Sequence, residues 1–292
     1  MSLRPPILRP LSSLADYEAC TELQEEVWGR GFSERVSAAI LMIANRLGGL
    51  SAGAFNESGM LLGFVFGLTG VMEGELVHWS DMLAVHPDVR DQGLGTRLKR
   101  YQREVLLDRG IRRMHWTFDP LQGRNAHVNF AKLGIVSREY VEDMYGQTDS
   151  PLHRGVGTDR LVATWEMDSS RVEERLEGKA RPPEAKEVGH LPRVLEVGEG
   201  ERFPEPGDAL LNLTDRRVLL NVPEEIDVLM NEDLDLAVRW REASRVPFLH
   251  YSRRGYEVRE FVREKNLSAY VLERSGTAAE GAEDRGRAER TP

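Results

Sequence analysis

Leu83-Ala84-Val85-His86-Pro87-Asp88-Val89-Arg90-Asp91-Gln92-Gly93-Leu94-Gly95-Thr96-Arg97-Leu98 is an apolar run, a proline exit and a two-glycine turn that opens onto a patterned segment. Val77 to Val85 reads as a strand that His86-Pro87-Asp88 ends, because proline removes a ladder donor. Leu94, Leu98, Tyr101, Val105 and Leu106 mark one face of a helix stopping at Gly110, and Met114 to Phe118 returns as a strand. The whole is a βαβ unit. A phosphate held at such a strand-to-helix turn needs free backbone N–H groups and side chains that do not obstruct them. Glycine meets both needs, so Arg90-x-x-Gly93-x-Gly95-Thr96 can act as a phosphate cradle. Glycines that merely pack helix against strand give the same spacing, and on the motif alone the two readings stand level. A dinucleotide loop would want a third glycine where Leu98 and Lys99 stand, and a Walker loop would want Gly-Lys-Ser/Thr, which is absent.

Outward from this unit, Ser13-Leu-Ala-Asp16 looks like a capping box before a helix carrying Tyr17, Cys20, Leu23 and Val27. A second helix is predicted from about Ser33 to Leu47, stopped by Gly48-Gly49. Leu50–Phe55 and Leu61–Leu68 read as a hairpin around Asn56-Glu57-Ser58-Gly59. Asn125 to Leu133 reads as a short helix and Val162 to Met167 as a late strand. Helices and strands thus alternate around a mixed sheet, and the expected fold class is mixed α/β with a smaller C-terminal α/β unit. Four stretches are expected: a domain at 1–170, a charged Pro/Gly-rich linker at 171–207, the C-terminal unit at 208–274, and a disordered polar tail at 275–292. In the C-terminal unit, Val218–Val222 and Ala269–Leu272 read as strands around helical stretches with Trp240, Phe248 and Tyr251.

The bulk properties bound the partners. At 292 residues the chain can bury a sizeable core, and its net charge of −9 argues against nucleic acid or an anionic membrane as a partner. Cys20 is the single cysteine, which excludes an intrachain disulfide, and no His pair has helix-ligand spacing, so no metal is expected. The N-terminus lacks the apolar run of a signal peptide, and a cytoplasmic location is expected. Oligomeric state is left open.

The segment Leu83 to Leu98, with its strand ending near Val-x-Pro and its Arg-x-x-Gly-x-Gly turn, resembles the signature of the GNAT acetyltransferase superfamily. The order of elements before it is also similar, so the likeness covers about residues 8–168. The resemblance implies a strand splayed from its neighbour near Leu83 to Val85, with a pantetheine arm bonding to the strand there. The pyrophosphate of acetyl-CoA would meet the amides from Arg90 through Asp91, Gln92, Gly93, Leu94 and Gly95 to Thr96, and the thioester carbonyl would lie near the Val85 backbone. Acetyl-CoA is then a cosubstrate, and the acceptor a small-molecule or peptide amine.

Acyl transfer to an amine calls for a base and for a proton donor to the thiolate. The family's tyrosine donor motif, Tyr-x-Lys-x-Gly-Phe, is matched here by Phe130-Ala-Lys132-Leu-Gly134-Ile135, whose phenylalanine has no proton to give. Tyr145 is the candidate acid in its place, with surface or core packing as its other role, as for Tyr140. Strand alternation puts Asp81, Leu83 and Val85 on one face and Ser80 and Met82 on the other, and Asp81 is the candidate base, with loop capping or an arginine pair as alternatives. His78 and His115 read as structural histidines. Asn125 is placed near the cofactor arm or at a helix N-cap. Tyr251-Ser-Arg253-Arg-Gly255-Tyr256 repeats the Tyr-x-Lys/Arg-x-Gly pattern, either as a half-repeat of the fold or as an ordinary helix stop. Two functions follow: an acetyl-CoA-dependent N-acetyltransferase working in a ternary complex, or a coenzyme A-binding sensor that has lost the acid.

Overall fold

The computed structural model describes residues 5–146 and 155–275. The chain opens with β1 (Ile7–Pro10), α1 (Leu14–Trp28) and α2 (Ala38–Arg46), followed by β2 (Leu50–Phe55), β3 (Leu61–Met72) and β4 (Glu75–Val85). The Ser13–Asp16 capping box forms as expected, and Asp16 also accepts both side-chain bonds from Arg9. The second helix starts later than expected: Ser37 caps it by accepting from the Ile40 amide, and Gln24 fixes the preceding chain through Val36. A hydroxyl one residue before the apolar stripe sets the start.

Next come α3 (Leu94–Asp108), β5 (Arg113–Phe118), α4 (Gly123–Ala126), β6 (Val136–Val141) and β7 (Arg160–Glu166). The expected helix over 125–133 begins at α4 and widens into a π-helical stretch at His127–Lys132, where Leu133 N–H bonds to Val128 C=O. The remaining elements are α5 (Ser170–Leu176), α6 (Ala185–Val188), β8 (Leu195–Gly198), β9 (Glu205–Ala209), β10 (Arg217–Pro223), α7 (Ile226–Glu232), α8 (Leu234–Arg253), β11 (Tyr256–Arg263) and β12 (Leu267–Arg274).

Ten strands form one sheet in the order β1-β2-β3-β4-β5-β7-β6-β11-β12-β10, with β4–β5 parallel and the other ladders antiparallel. α1 and α2 pack with Phe64, Phe66, Met82 and Ala84 on one face, and α3 packs through Leu94 and Leu98 on the other. The stretch expected as a linker contains α5, α6 and β8. Arg171 and Arg175 of α5 both bond to Glu260 of β11, at 2.9 and 2.8 Å, so charges that look solvated in the sequence are spent inside the molecule. β6 meets β11 through one residue pair, Ser137–Val258, and we propose the boundary between the N-terminal and C-terminal units at this thin ladder. A run of edge-to-face aromatic contacts crosses it: Phe118 with Phe130, Phe130 with Tyr270, and Tyr270 with Phe248. The expected tail lies outside the described residues apart from Ser275.

Candidate functional site

β4 and β5 are paired only from Val77–Arg113 to Trp79–His115. β4 then runs on to Val85 and β5 to Phe118 with no shared ladder, so the sheet opens as a fork with Trp79 and His115 at its apex. The facing edges carry backbone donors and acceptors that an extended ligand can satisfy.

A β-bulge sits just inside the fork. Phe66 pairs with Met82 and Gly67 with Ser80, which leaves Asp81 as the extra, unpaired residue. This overturns the simple alternation expected for the strand. Ser80 faces α3, where its hydroxyl meets Lys99 and Gln102, whereas Met82 packs with α1 and α2. Asp81 is exposed and, among the described residues, makes no hydrogen bond or ion pair. Partial desolvation by the surrounding protein raises its carboxyl above the usual carboxylate range.

The glycine turn lies at the open end of the fork. Gly93 is the N-cap of α3 in the left-handed conformation, with φ of 76°, a backbone shape that other L-residues adopt only under strain. Arg97 N–H makes the first helical bond, to Gly93 C=O at 3.1 Å, leaving the amides of Leu94, Gly95 and Thr96 without an intrahelical partner. A Cβ on Gly95 would lie 3.5 Å from Leu83 Cδ2 and 3.8 Å from Val85 Cγ2, so the helix start sits against the end of β4. Arg90 folds back to donate from Nε to Val85 C=O at 3.3 Å, and Asp91 pairs with Arg124 of α4. Gln92 is exposed beside them. Asn125 is also exposed, and it lies within α4 rather than capping it, since Gln122 holds the N-cap position.

Lys99 lies buried at the fork on the α3 side. Its ammonium donates to Ser80 Oγ of β4 at 2.8 Å, lies 3.7 Å from Met114 Sδ of β5, and sits 4.0 Å from the Trp116 ring centroid. No carboxylate pairs with it among the described residues, and burial pushes its pKa down to about 7. A chain of bonds continues: Ser80 Oγ donates to Gln102 Oε1 at 3.1 Å, Gln102 Nε2 lies 3.0 Å from His78 Nε2, and His78 Nδ1 lies 3.0 Å from Thr69 Oγ1. Thr69 donates onward to Gly48 C=O at 2.8 Å. Burial and the neighbouring Lys99 and Arg109 hold His78 neutral, with its pKa lowered to about 3. The tautomer with its proton on Nδ1 satisfies every bond in the chain.

The opposite face of the fork is lined differently. Trp79 stacks on His115, whose buried Nε2 has no partner among the described residues and whose pKa is lowered chiefly by burial. Thr117 meets the Tyr145 hydroxyl at 2.8 Å, and the Arg160 guanidinium lies 5.2 Å from the Tyr145 ring centroid. Phe130, by contrast, is fully buried among edge-to-face aromatic rings. The structure thus brings Leu83, Val85 and the glycine turn together, sets Asp81 in the bulge, and puts Tyr145 against β5. Lys99, Ser80 and Gln102 were missed. The available signal was a lysine in the buried stripe of α3, in i, i+3, i+7 register with Gln102 and Leu106. A surface hollow lined by Leu11, Ser12, Tyr17, Asn45, Arg46 and Arg109 lies at the far end of α3, away from these groups.

Residues 17–135 match the model of the acetyltransferase (GNAT) family, so this stretch is a GNAT acetyltransferase domain. Similar solved structures include the ribosomal-protein-S18-alanine N-acetyltransferase from Escherichia coli, at 16% identity and TM-score 0.44 over 56% of this chain and 95% of that one. A GNAT superfamily phosphinothricin acetyltransferase from Sinorhizobium meliloti in complex with acetyl-CoA matches at 16% identity and TM-score 0.45, over 55% and 87% of the two chains. Ard1 from Thermoplasma volcanium matches at 15% identity and TM-score 0.42, over 55% and 96%. Comparison with curated proteins gave no match. No helix of the described residues is long and apolar enough to cross a membrane.

Proposed function

We propose that this protein binds acetyl-CoA across the glycine turn and the β4–β5 fork and transfers its acetyl group to an amine, the two substrates being held together. The observation that carries the reading is the fork itself, with unpaired strand edges running from the free amides at Leu94, Gly95 and Thr96 to the apex at Trp79 and His115. The turn suits the pyrophosphate, through the backbone amides of Asp91, Gln92 and Gly93 with those of the helix start, the Arg90 amide being engaged by Pro87 C=O and its guanidinium standing beside them, and the edge of β4 at Leu83 and Val85 suits the pantetheine arm. Asn125, exposed on α4, borders that arm. Asp81 takes the proton of the attacking amine, and Tyr145 borders the acetyl group from the β5 side. The acceptor is a small or peptide amine entering on the Trp79–Thr117 face.

Calorimetry with acetyl-CoA, and thiol release with a panel of small amines and peptides, test this. Wild type binds and releases thiol. Gly93→Trp, which forces a bulky residue into a left-handed cap, loses binding at least about tenfold. Asp81→Asn lowers kcat/KM by about 10²-fold or more and removes the acid limb of the pH profile, a limb set above the usual carboxylate range. Binding of acetyl-CoA that Gly93→Trp leaves unchanged would sink the reading. A second reading, a coenzyme A-binding module without catalysis, is favoured by Phe130, whose buried ring offers no proton. It expects binding with no thiol release from any acceptor.

A further inference from the structure

A thioester that transfers its acyl group leaves a thiolate, whose charge must be met by a cation or a proton. The pantetheine arm is a run of roughly a dozen bonds, about 15 Å when extended. Five residues of β4, from Val85 back to Ser80, rise about 17 Å. A donor anchored at the glycine turn against Leu83 and Val85 therefore brings its sulphur and thioester carbonyl towards the inner end of the fork, at Ser80 to Met82, and not to the Val85 backbone that the family resemblance implies.

Lys99 holds that position from the α3 side. Its ammonium spans the gap between the strands just where their ladder has ended, bonded to Ser80 on one side and set against Met114 and Trp116 on the other. Its charge is uncommitted, because no acidic side chain pairs with it among the described residues. Two other buried phenols are committed: Tyr140 donates to Asp159 and Tyr270 to Pro120 C=O. Tyr145 is engaged with Thr117 on the other face of the sheet.

We propose that Lys99 is the positioning residue that supplies the proton to the departing thiolate of the acyl donor, through the Ser80 hydroxyl at the head of the fork. This rests on the acyltransferase reading. As the amine nitrogen bonds to the carbonyl carbon, the C–S bond breaks. The sulphur takes the Ser80 proton, Ser80 Oγ takes one from Lys99 Nζ, and Lys99 is left as a neutral amine. The proton given up by the attacking amine goes to Asp81 and out to solvent, from which Lys99 is recharged when product leaves. Ser80 must turn its O–H from Gln102 for the transfer, while the rest of the chain, Gln102, His78 and Thr69, keeps the site in register. His78 is the titratable group facing Lys99 from β4, and it stays neutral; β5 offers Met114 and Trp116 and α3 offers Gln102, none of them ionisable near neutrality. A lysine that titrates near 7 matches an ordinary thiol of about 8.5, so the transfer runs downhill.

The full chain loaded with coenzyme A provides the test, since the free thiol reports the charge beside it without an acceptor. The thiolate absorbance is followed against pH for wild type, Lys99→Met and Ser80→Ala. The bound thiol should titrate about one unit lower in wild type than in Lys99→Met, and Ser80→Ala should keep that lowering. In turnover of acetyl-CoA, both variants should lose about 10²-fold in kcat with little change in KM, and the fall in rate above neutral pH should disappear in Lys99→Met. Coenzyme A bound with the same thiol titration in wild type and Lys99→Met overturns this proposal alone. Failure of wild type to bind coenzyme A overturns the acyltransferase reading with it.

Discussion

Two of the buried polar networks among the described residues use their charge in opposite ways. At the junction with the C-terminal unit, Arg241 of α8 is 2% exposed and grips both oxygens of Asp119 at 2.7 and 2.6 Å. One turn further along, Arg245 holds both oxygens of Asp159 at 2.7 and 2.8 Å, where Tyr140 also donates. Arg241 and Arg245 thus each have their carboxylate. At the fork, Lys99 is also buried and has a hydroxyl, a sulphur and a π-face but, among the described residues, no anion. Paired charges hold one element to another, because breaking them leaves an ion stranded in low dielectric. An unpaired charge adds nothing of that kind and costs stability through desolvation, so its presence points to a role in the chemistry at the fork.

The largest effect should come from cutting the paired network. Arg241→Ala strands Asp119 and should destabilise the protein by about 3–5 kcal/mol in urea unfolding. A loss under about 1 kcal/mol would erase the contrast. The fork should respond with the opposite sign. Unfolded Lys99 holds its proton up to about 10.5 and folded Lys99 releases it near 7, so between those values the unfolded state binds more protons. Stability should therefore rise with pH across that window, by up to about 1.4 kcal/mol per unit, and Lys99→Met should abolish the slope and be the more stable protein below pH 7. A flat wild-type curve would mean that Lys99 has a partner after all. The smallest effect belongs to Arg113, whose pairs with Glu166 and Glu75 are half in solvent; Arg113→Ala should stay within about 1 kcal/mol.

Much of this was legible in the chain. The capping box at Ser13, the hairpin around Asn56, the strand ending at Val85 and the helix after Gly93 rest on local chemistry, and each forms where that chemistry put it. The start of α2 was misplaced because Ser33 and Ser37 both suit a cap, and Gln24, twelve residues upstream of Val36, tethers the chain leading to Ser37. The stretch after Arg171 looked like a linker because a charged residue reads alike in water and in a salt bridge; Arg175 is paired with Glu260, 85 residues away.

What the sequence by itself determined was the glycine turn: glycine at position 93 permits a left-handed cap, and proline ends the strand before it. What only the tertiary structure decided was the fork. The bulge at Asp81 arises from register with β3, and it turns Ser80 and Met82 to opposite faces. Lys99 becomes a buried, unpaired cation only because α3 lies across the point where β4 and β5 part. Backbone conformation at a glycine is a local property, whereas the cost and reactivity of a buried charge depend on everything that surrounds it.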